Sequence, residues 1–237
     1  MKIMTWNIKH GGSKGKLKDI LLNIIEHNAD IVVLTEYRVE NGKEISQSLR
    51  DRGWNYQLSS NPPLKTNGIF IASKREICNT AIDYKLPEAS HRWLDVILKG
   101  VDLRVLGIHI PGAGDKWGKE NFWKAVVDFG KSKIGEKILI IGDFNTGLDM
   151  DAEGTPFQLS DYMVRLNELG WTDAWRFKNT SLREYTWYSK AGNGFRLDYA
   201  YLSPKLKNGL INVFHSHQER IRELSDHSSL RIELNPF

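Results

Sequence analysis

The chain has 237 residues, of which 41% are hydrophobic and 11% aromatic, so it can form a full hydrophobic core and is not of the disordered class. Its 33 basic and 29 acidic residues give a net charge of +4, an excess that permits a polyanionic partner without establishing one. The single cysteine, Cys78, excludes an intrachain disulfide and a cysteine-based zinc site. There is no signal-peptide pattern and no apolar run of membrane length. We therefore predict a cytoplasmic protein with no membrane association and no obligate protein partner.

Apolar periodicity predicts strands and helices in mixed order along the chain. The predicted strands cover residues 2–8, 30–37, 67–73, 92–100, 101–110, 137–141, 185–189, 195–203 and 228–234. The predicted helices lie within residues 15–28, 119–133 and 156–170. No linker, low-complexity tract or short repeat divides the chain. This pattern predicts a single α/β domain over residues 1–237, with helices packed outside sheets.

Polar side chains recur in or beside the ends of the apolar strands. They are Asn7, Glu36, His109, Asp143, Asn145, Asp198, Asp226 and His227. Burying a polar group without a partner is unfavourable, by several kcal/mol for a carboxylate, so these eight positions are poorly explained as independent accidents. One cleft that holds a cation, in which each charge has a partner, would explain them together.

Each of these residues also has an ordinary structural explanation. Asn7 could cap a turn, and Glu36 could pair with Arg38 at the surface. Asp198 could pair with Arg196, two residues before it on the same strand face. The "GDFN" segment that contains Asp143 could simply be a turn after a buried strand, and "SDH" could be a turn cap. The sequence alone leaves these alternatives open.

Six motifs carry a resemblance to a known superfamily. The chain contains, in order, "TWNI", "LTEYR", "GIHIPGAG", "IGDFNTG", "FRLDYAYLS" and "SDHSSL". In this order they resemble the endonuclease/exonuclease/phosphatase superfamily over nearly the whole chain. The segments between residues 166 and 203 are most similar to exonuclease III-type apurinic/apyrimidinic endonucleases. The resemblance implies a four-layer αββα sandwich, with two mixed sheets face to face and the catalytic groups at one edge.

The resemblance also implies a metal-dependent phosphodiester hydrolase. Glu36 would be the principal ligand of Mg²⁺ or Mn²⁺, with Asn7 beside it and Asp226 completing the site. Oxygen-rich ligands of this kind suit both metals. Asp143 would be the general base for the attacking water, and Asn145 would donate to the phosphoryl group or orient that water.

According to the resemblance, two histidines would bind or protonate the phosphate, and an aspartate would orient one of them. His227 would contact the developing negative charge, and Asp198 would hydrogen-bond its ring and favour the imidazolium. His109 would be a second phosphate contact or an acid. Period-2 alternation along a strand predicts that Asp143 and Asn145 point to the same side.

The sequence departs from the exonuclease III pattern at two positions. Lys9 stands where Asp or Asn is usual, which opposes a second metal at that corner and favours one metal. Lys9 could instead contact a substrate phosphate or simply face solvent. His109 stands where Tyr is usual and is more like the pancreatic deoxyribonuclease, sphingomyelinase and inositol phosphatase branches. This second departure bears on the substrate rather than on the reaction.

The segment 111–126 mixes lysines with aromatic residues, as the rim of a nucleic-acid site does. Candidate substrate contacts are Lys9, Arg92, Asn121, Trp117 and Phe195, with Phe195 matching a ring that packs against an abasic sugar in the apurinic-site enzymes. The alternatives are an ordinary amphipathic helix and plain strand packing. The leading functional hypothesis is a nuclease acting on DNA, at abasic sites or 3′ ends. A small-molecule or lipid-headgroup phosphoesterase and a non-catalytic nucleic-acid-binding regulator are the alternatives.

Overall fold

The structure is a computed structural model that describes residues 1–12, 15–112, 114–115 and 118–235. Its strands are β1 (Lys2–Asn7), β2 (Ile31–Tyr37), β3 (Tyr56–Ser59), β4 (Gly68–Ser73), β5 (Ile77–Asn79), β6 (Trp93–Leu98), β7 (Leu103–His109), β8 (Ile138–Asp143), β9 (Thr172–Asp173), β10 (Trp187–Tyr188), β11 (Gly194–Phe195), β12 (Asp198–Leu202), β13 (Leu210–Ser216) and β14 (Ser229–Leu234). Its helices are α1 (Leu17–His27), α2 (Gly42–Arg50), α3 (Lys119–Ser132), α4 (Asp161–Glu168), α5 (Ala174–Lys178) and α6 (Gln218–Ile221). Within these ranges, no helix has both the length and the apolar character needed to span a bilayer.

The strands form two six-stranded sheets and one two-stranded ribbon. The first sheet has the order β13-β14-β1-β2-β4-β3, and the second has the order β5-β6-β7-β8-β12-β9. Strands β1 and β2 are parallel, as are β7 and β8, and every other neighbouring pair in the two sheets is antiparallel. Both sheets are therefore mixed, as predicted. The ribbon pairs β10 with β11.

The side-chain alternation of the strands builds three apolar layers. On β1, Ile3 faces the core between the two sheets, whereas Met4 and Trp6 face the opposite way and pack under α1 and α2. On the far side, α3 and α4 cover the second sheet, and Trp123 of α3 is fully buried there. Burying a large apolar side chain stabilises the fold by about 1.5–3 kcal/mol. The predicted four-layer αββα sandwich is confirmed.

The topology brings six chain segments to one edge of the sandwich. Parallel strands β1 and β2 end there, and β14 begins there because it runs antiparallel to β1. The second sheet repeats this arrangement: β7 and β8 end side by side, with His109 opposite Asp143, and antiparallel β12 begins with Asp198 opposite Asp143. Strand ends that are far apart in sequence therefore meet in space.

Residue 142, just before the polar end of β8, is a glycine because β7 passes very close to it. Its φ is +146°, and a Cβ atom at this position would lie only 2.0 Å from the carbonyl oxygen of Ile108 on β7. Because that contact is with backbone, no side chain can be accommodated without moving the two strands apart. The glycine thus lets β7 and β8 approach closely one residue before Asp143.

Most of the predicted helices and strands are present. Their observed ends differ most from the predicted ends where a turn begins or ends the element. The helix predicted within residues 156–170 begins only at Asp161, because Leu159 adopts a left-handed conformation with φ of 65°. Sequence periodicity did not predict the amphipathic helix α2 or the edge strands β3, β5 and β13. Strand β13 exposes Ile211 and Phe214, so its alternation is weak.

Candidate active site

Asp143 lies at the centre of a buried polar cluster at this edge. Its side chain is almost fully buried, and its Oδ2 atom accepts a hydrogen bond of 3.0 Å from Asn7 Nδ2. Its Oδ1 atom accepts a bond of 2.9 Å from the backbone N–H of Asn145. Burial raises the pKa of Asp143 to about 7; the charge of Asp198 also raises it, while the imidazolium of His227 opposes the shift. A carboxylate of this kind can accept a proton near neutral pH.

The side chain of Asn145 lies near Asp143, but strand alternation, which we predicted would align the two, is not the reason. Strand β8 ends at Asp143, and Asn145 has a left-handed backbone with φ of 47°. The strand alternation that we expected to align the two side chains therefore does not extend to Asn145. Its Nδ2 atom donates to the carbonyl oxygen of Ile110 at 2.9 Å and lies 3.5 Å from Asp143 Oδ2. Since Nδ2 is engaged in this way, the Oδ1 atom is better placed to orient a water than Nδ2 is to bind phosphate.

His227 and Asp198 form a buried pair beside Asp143. His227 Nδ1 lies 2.9 Å from Asp198 Oδ2, and His227 Nε2 lies 3.9 Å from Asp143 Oδ2. Burial disfavours the imidazolium, but the carboxylates of Asp198 and Asp143 outweigh this and raise the pKa of His227 to about 10. The ring is therefore a cation at neutral pH, with Nε2 directed towards the cluster.

The alternative pairing of Asp198 with Arg196 is wrong. Arg196 is fully buried and instead contacts Asp151 at 2.9 Å and Asp173 at 2.6 Å. The position of Asp198 is set by Thr186, whose Oγ1 atom accepts the backbone N–H groups of Leu197 and Asp198. Asp198 therefore contacts His227 rather than Arg196.

His109 completes the wall of the cluster opposite His227. Its Nε2 atom is 3.7 Å from Asp143 Oδ2, and its buried Nδ1 atom has no hydrogen-bond partner among the described residues. Burial, together with the charge of Arg92, lowers the pKa of His109 to about 3. A neutral ring at physiological pH suits a hydrogen bond to phosphate better than proton donation as an acid.

Glu36 forms a second, more open corner next to the cluster. A bulge in β2 and a left-handed backbone with φ of 56° turn its side chain towards β1. Its Oε1 atom accepts from Asn7 Nδ2 at 3.2 Å, and its Oε2 atom lies 2.8 Å from both the backbone nitrogen and the Nδ1 atom of His10. Burial alone would raise the pKa of Glu36, but the hydrogen bonds from His10 hold it well below its usual range. Arg38 instead contacts Asn67 and His10.

Lys9 and Asp226 lie together at the rim. Lys9 Nζ is 3.4 Å from Asp226 Oδ2, and both side chains are about half exposed, at 45% and 42%. The indole Nε1 of Trp187 also lies 3.4 Å from Asp226 Oδ2. The backbone N–H of Lys9 donates to Asn7 Oδ1 at 3.0 Å. The lysine therefore neutralises Asp226. This is the corner at which the presence of Lys9 in the sequence favoured one metal ion over two.

Two arrangements of these residues could hold a divalent cation. In the part of the chain that the structure describes, one set of three potential ligands has its atoms within 4.8 Å of one another: Asp143, Asp198 and His227. In that set, however, Nδ1 of His227 is already engaged by Asp198. The Glu36 corner offers an ionised carboxylate, with the Asn7 amide lying between Glu36 and Asp143. The amide nitrogen of Asn7 faces both carboxylates and its Oδ1 atom accepts the Lys9 N–H, so the amide would offer its oxygen to a cation only by giving up these bonds. Oxygen donors with room for water suit Mg²⁺ or Mn²⁺.

Two more of the predicted substrate contacts, Arg92 and Phe195, lie near the cluster. Arg92 is buried and makes a 2.6 Å ion pair with Asp115, and its charge acts on His109. Phe195 is partly buried, with its ring centroid 5.8 Å from that of Trp187, so it forms an aromatic surface next to Asp226. Trp117 lies outside the described residues.

Asn121 is not part of the cluster. It is exposed on the first turn of α3 and lines a separate surface cavity with residues 85–88. The residue of α3 that faces the site is Lys119, whose Nζ donates to the carbonyl oxygen of Asn145 at 2.6 Å. Positions two apart on a helix point in different directions, so only one of these residues can face the site. Lys119 is one of the lysines of the segment 111–126 that the sequence placed at the rim, and the sequence gave no role to His10, Thr186 or Ser225.

Comparison with known proteins identifies the family. The model of the Endonuclease/Exonuclease/phosphatase family matches residues 4–227. The chain belongs to this family. The match spans every residue of the cluster, from Asn7 to His227, and confirms the resemblance inferred from the six motifs. The family comprises hydrolytic nucleases and phosphatases that depend on a divalent metal, so this member is a phosphoric-ester hydrolase.

Individual relatives of this family member are distant in sequence and close in fold. An exodeoxyribonuclease of Bacillus subtilis (strain 168) is 22% identical over 230 residues, covering 87% of this chain and 90% of the relative. Among solved structures, an AP endonuclease from Archaeoglobus fulgidus superimposes with a TM-score of 0.83 at 20% identity, with 99% of each chain covered. The 3′-5′ exonuclease NExo from Neisseria meningitidis gives 0.81 at 24% identity, covering 99% of this chain and 100% of its own. A 3′ phosphatase NExo from Neisseria, bound to a product DNA hairpin, gives 0.82 at 23%, with 99% of each chain covered.

Proposed function

We propose that this family member is a divalent-metal-dependent phosphodiester hydrolase that acts on DNA. The single observation that carries the proposal is the buried cluster around Asp143, where an amide and two histidines surround a carboxylate with a pKa of about 7. The names of the relatives, an exodeoxyribonuclease and an AP endonuclease, support DNA as the substrate. A cytoplasmic location and a single-domain organisation stay predictions of the sequence.

The cluster supports an in-line attack by water on a phosphodiester. Asp143 accepts the proton of the attacking water, which Asn145 orients through its Oδ1 atom. His227 donates a hydrogen bond from Nε2 to a phosphoryl oxygen as its negative charge develops, and Asp198 holds the ring in place. A bound metal ion would supply Lewis-acid stabilisation of the phosphoryl and leaving oxygens. Neutral His109 adds a second hydrogen bond to the phosphate.

We assign the metal to Glu36 and Asn7, with Asp226 as an additional ligand that Lys9 shares. Both Mg²⁺ and Mn²⁺ accept this set of oxygen ligands and retain bound waters. The Asp143–Asp198–His227 group then serves in proton transfer and charge stabilisation rather than in metal binding. Asp198 orients the ring of His227, and the Nε2 atom of that ring faces Asp143.

Loss of the Glu36 carboxylate should weaken metal binding. Changing even an outer-shell partner of a metal costs about 10–100-fold in affinity, so Glu36→Gln should lose at least about tenfold. The measurement is Mn²⁺ affinity by electron paramagnetic resonance of the free ion, without substrate. Glu40→Gln, an exposed acid on the next turn, is the matched control. If Glu36→Gln binds Mn²⁺ normally and His227→Ala does not, the metal belongs to the other group.

The rate of hydrolysis should have a bell-shaped dependence on pH. Asp143 must be ionised to act as a base, so kcat/KM should rise with pH through about 7. His227 must keep its proton, so kcat/KM should fall as the pH passes about 10. Asp198→Asn should move the alkaline limb to lower pH, because Asp198 is the main group that raises the pKa of His227. A profile measured with Mg²⁺ that is flat between pH 5 and 9 would contradict the assignment of Asp143.

The proposed activity is tested by incubating the protein with end-labelled oligonucleotides. Plain duplex, abasic duplex and single-stranded DNA are compared with Mn²⁺, with Mg²⁺ and with chelator. Metal-dependent cleavage is expected, and the product ends distinguish endonuclease, exonuclease and 3′ phosphatase action. Hydrolysis of small phosphate esters without cleavage of any oligonucleotide would favour the small-molecule alternative that His109 raises.

A further inference from the structure

A groove adjoins the catalytic rim on the side of Asp226. Its volume is about 490 Å³, and its lining residues are Lys9, Lys16, Tyr188, Arg220, Glu223, Ser225 and Asp226. Ser225 and Asp226 form the end nearest the site, since Ser225 Oγ accepts the backbone N–H of His227 at 3.2 Å. At the other end, Lys16 Nζ donates to the carbonyl oxygen of Glu223 at 2.7 Å and joins two loops. The groove therefore begins beside the reaction centre and extends to the contact between Lys16 and Glu223.

The wall formed by Tyr188 and Arg220 has the chemistry of a nucleotide-binding surface. The Arg220 guanidinium lies 4.4 Å from the centroid of the Tyr188 ring, and Tyr188 is 39% exposed. Among the described residues, the Nε atom of Arg220 is buried without a hydrogen-bond partner. A guanidinium stacked on an exposed ring can bind a phosphate and leave an aromatic face for a base.

The other charged residues of the groove form ion pairs with one another. Lys9 pairs with Asp226 at 3.4 Å and Lys16 pairs with Glu223 at 3.6 Å, so the net positive charge of the lining comes from Arg220. Strand β10 contributes one side chain to the groove and one to the aromatic surface beside Asp226, because successive residues of a strand point to opposite faces. Tyr188 packs under Arg220 in the groove, whereas Trp187 contacts Asp226.

We propose that this groove binds the nucleotide next to the scissile phosphate, with its backbone phosphate on Arg220 and its base on Tyr188. This inference rests on the proposed function and deepens it, because it selects a polynucleotide over a small phosphoester as the substrate. A small phosphate ester reaches only the Asp143 cluster and leaves the groove empty. The groove should therefore contribute to catalysis only when the substrate extends beyond the reacting phosphate.

The test compares two substrates in the same protein. For Arg220→Gln and Tyr188→Ala, kcat/KM on a duplex oligonucleotide should fall about tenfold, which is the size expected for loss of one stacked base or one charged contact. Hydrolysis of bis(p-nitrophenyl) phosphate should stay unchanged. Arg220→Lys, which keeps the charge and loses the planar group, should lie between wild type and Arg220→Gln.

Binding is measured separately from cleavage. Fluorescence anisotropy of a labelled duplex, with Asp143→Asn as the background, should show an affinity about tenfold lower for Arg220→Gln. The salt dependence of log K should also decrease by about one unit of slope, because one phosphate contact is lost. The matched control is Arg165→Gln, which removes a similar cation–π pair with Tyr162, at 4.6 Å, on the outer helix α4.

The outcomes separate the two proposals. Unchanged oligonucleotide kinetics in Arg220→Gln and Tyr188→Ala would overturn the groove and leave the proposed function standing. Equal losses on both substrates would also overturn it, because the residues would then support the catalytic centre rather than the extended substrate. If wild type hydrolyses neither substrate with Mn²⁺, the proposed function fails and the groove is judged on binding alone. Equal affinities of the Arg220→Gln and background proteins would then overturn it.

Discussion

Asp143→Asn should lower kcat by about 10²–10⁴-fold, the range expected for removal of a general base. The amide has the same shape as the carboxylate but cannot accept the proton of the attacking water. The measurement is the single-turnover rate on the oligonucleotide that wild type cleaves, with saturating Mg²⁺. The fold should survive, because the substitution removes a charge whose burial is unfavourable, as the raised pKa shows.

Two controls separate this effect from structural damage. The thermal unfolding midpoint of Asp143→Asn at pH 8 should be close to that of wild type. Asp149→Asn changes another carboxylate in the segment after β8, outside the cluster, and should keep normal activity. Turnover of folded Asp143→Asn at the wild-type rate would show that another group is the base.

His227→Ala should lower kcat by about 10²–10³-fold, since a charged donor to the phosphoryl group is worth about 2.7–4 kcal/mol in a closed site. It should also destabilise the protein, because Asp198 would keep a buried charge without its partner. His227→Asn is therefore a necessary second variant. Its amide can still donate to Asp198, so it should unfold close to the wild-type temperature while remaining as inactive as the alanine variant.

A different histidine–carboxylate pair provides the control for His227. His27 contacts Glu219 at 2.6 Å, and α1 carries it outside the first sheet. His27→Ala should lower stability without a comparable loss of kcat. If His227→Asn is folded and hydrolyses the oligonucleotide normally, the proposed stabilisation by the imidazolium is wrong.

Short-range patterns predicted a layered α/β domain with helices outside the sheets, whereas the four-layer sandwich and its catalytic edge were implied by the family resemblance. Alternation on β1 separates Ile3 from Met4 and Trp6, and this separation sets the two faces of the first sheet. The polar residue at each strand end interrupts an apolar run, so it is visible without any knowledge of the pairing. Motif order then supplied the topology that brings those ends together.

The partners of individual side chains could not be predicted in the same way. The sequence left open a pairing of Arg196 with Asp198, yet Arg196 is buried between Asp151 and Asp173, which are 45 and 23 residues away. The convergence of Asn145 on Asp143 depends on a left-handed turn, which no periodicity indicates. Which residue of α3 faces the site depends on where that helix starts, and so Lys119 rather than Asn121 faces it.

The measurement that tests the central claim most directly is the single-turnover rate of the double variant Asp143→Asn/His227→Asn, beside each single variant. If residues from separate strands act on one phosphate, their contributions are not independent, and the double variant should be little slower than the slower single variant. If the two losses instead multiply in full, the two side chains act separately, and the account of a single shared site would be contradicted.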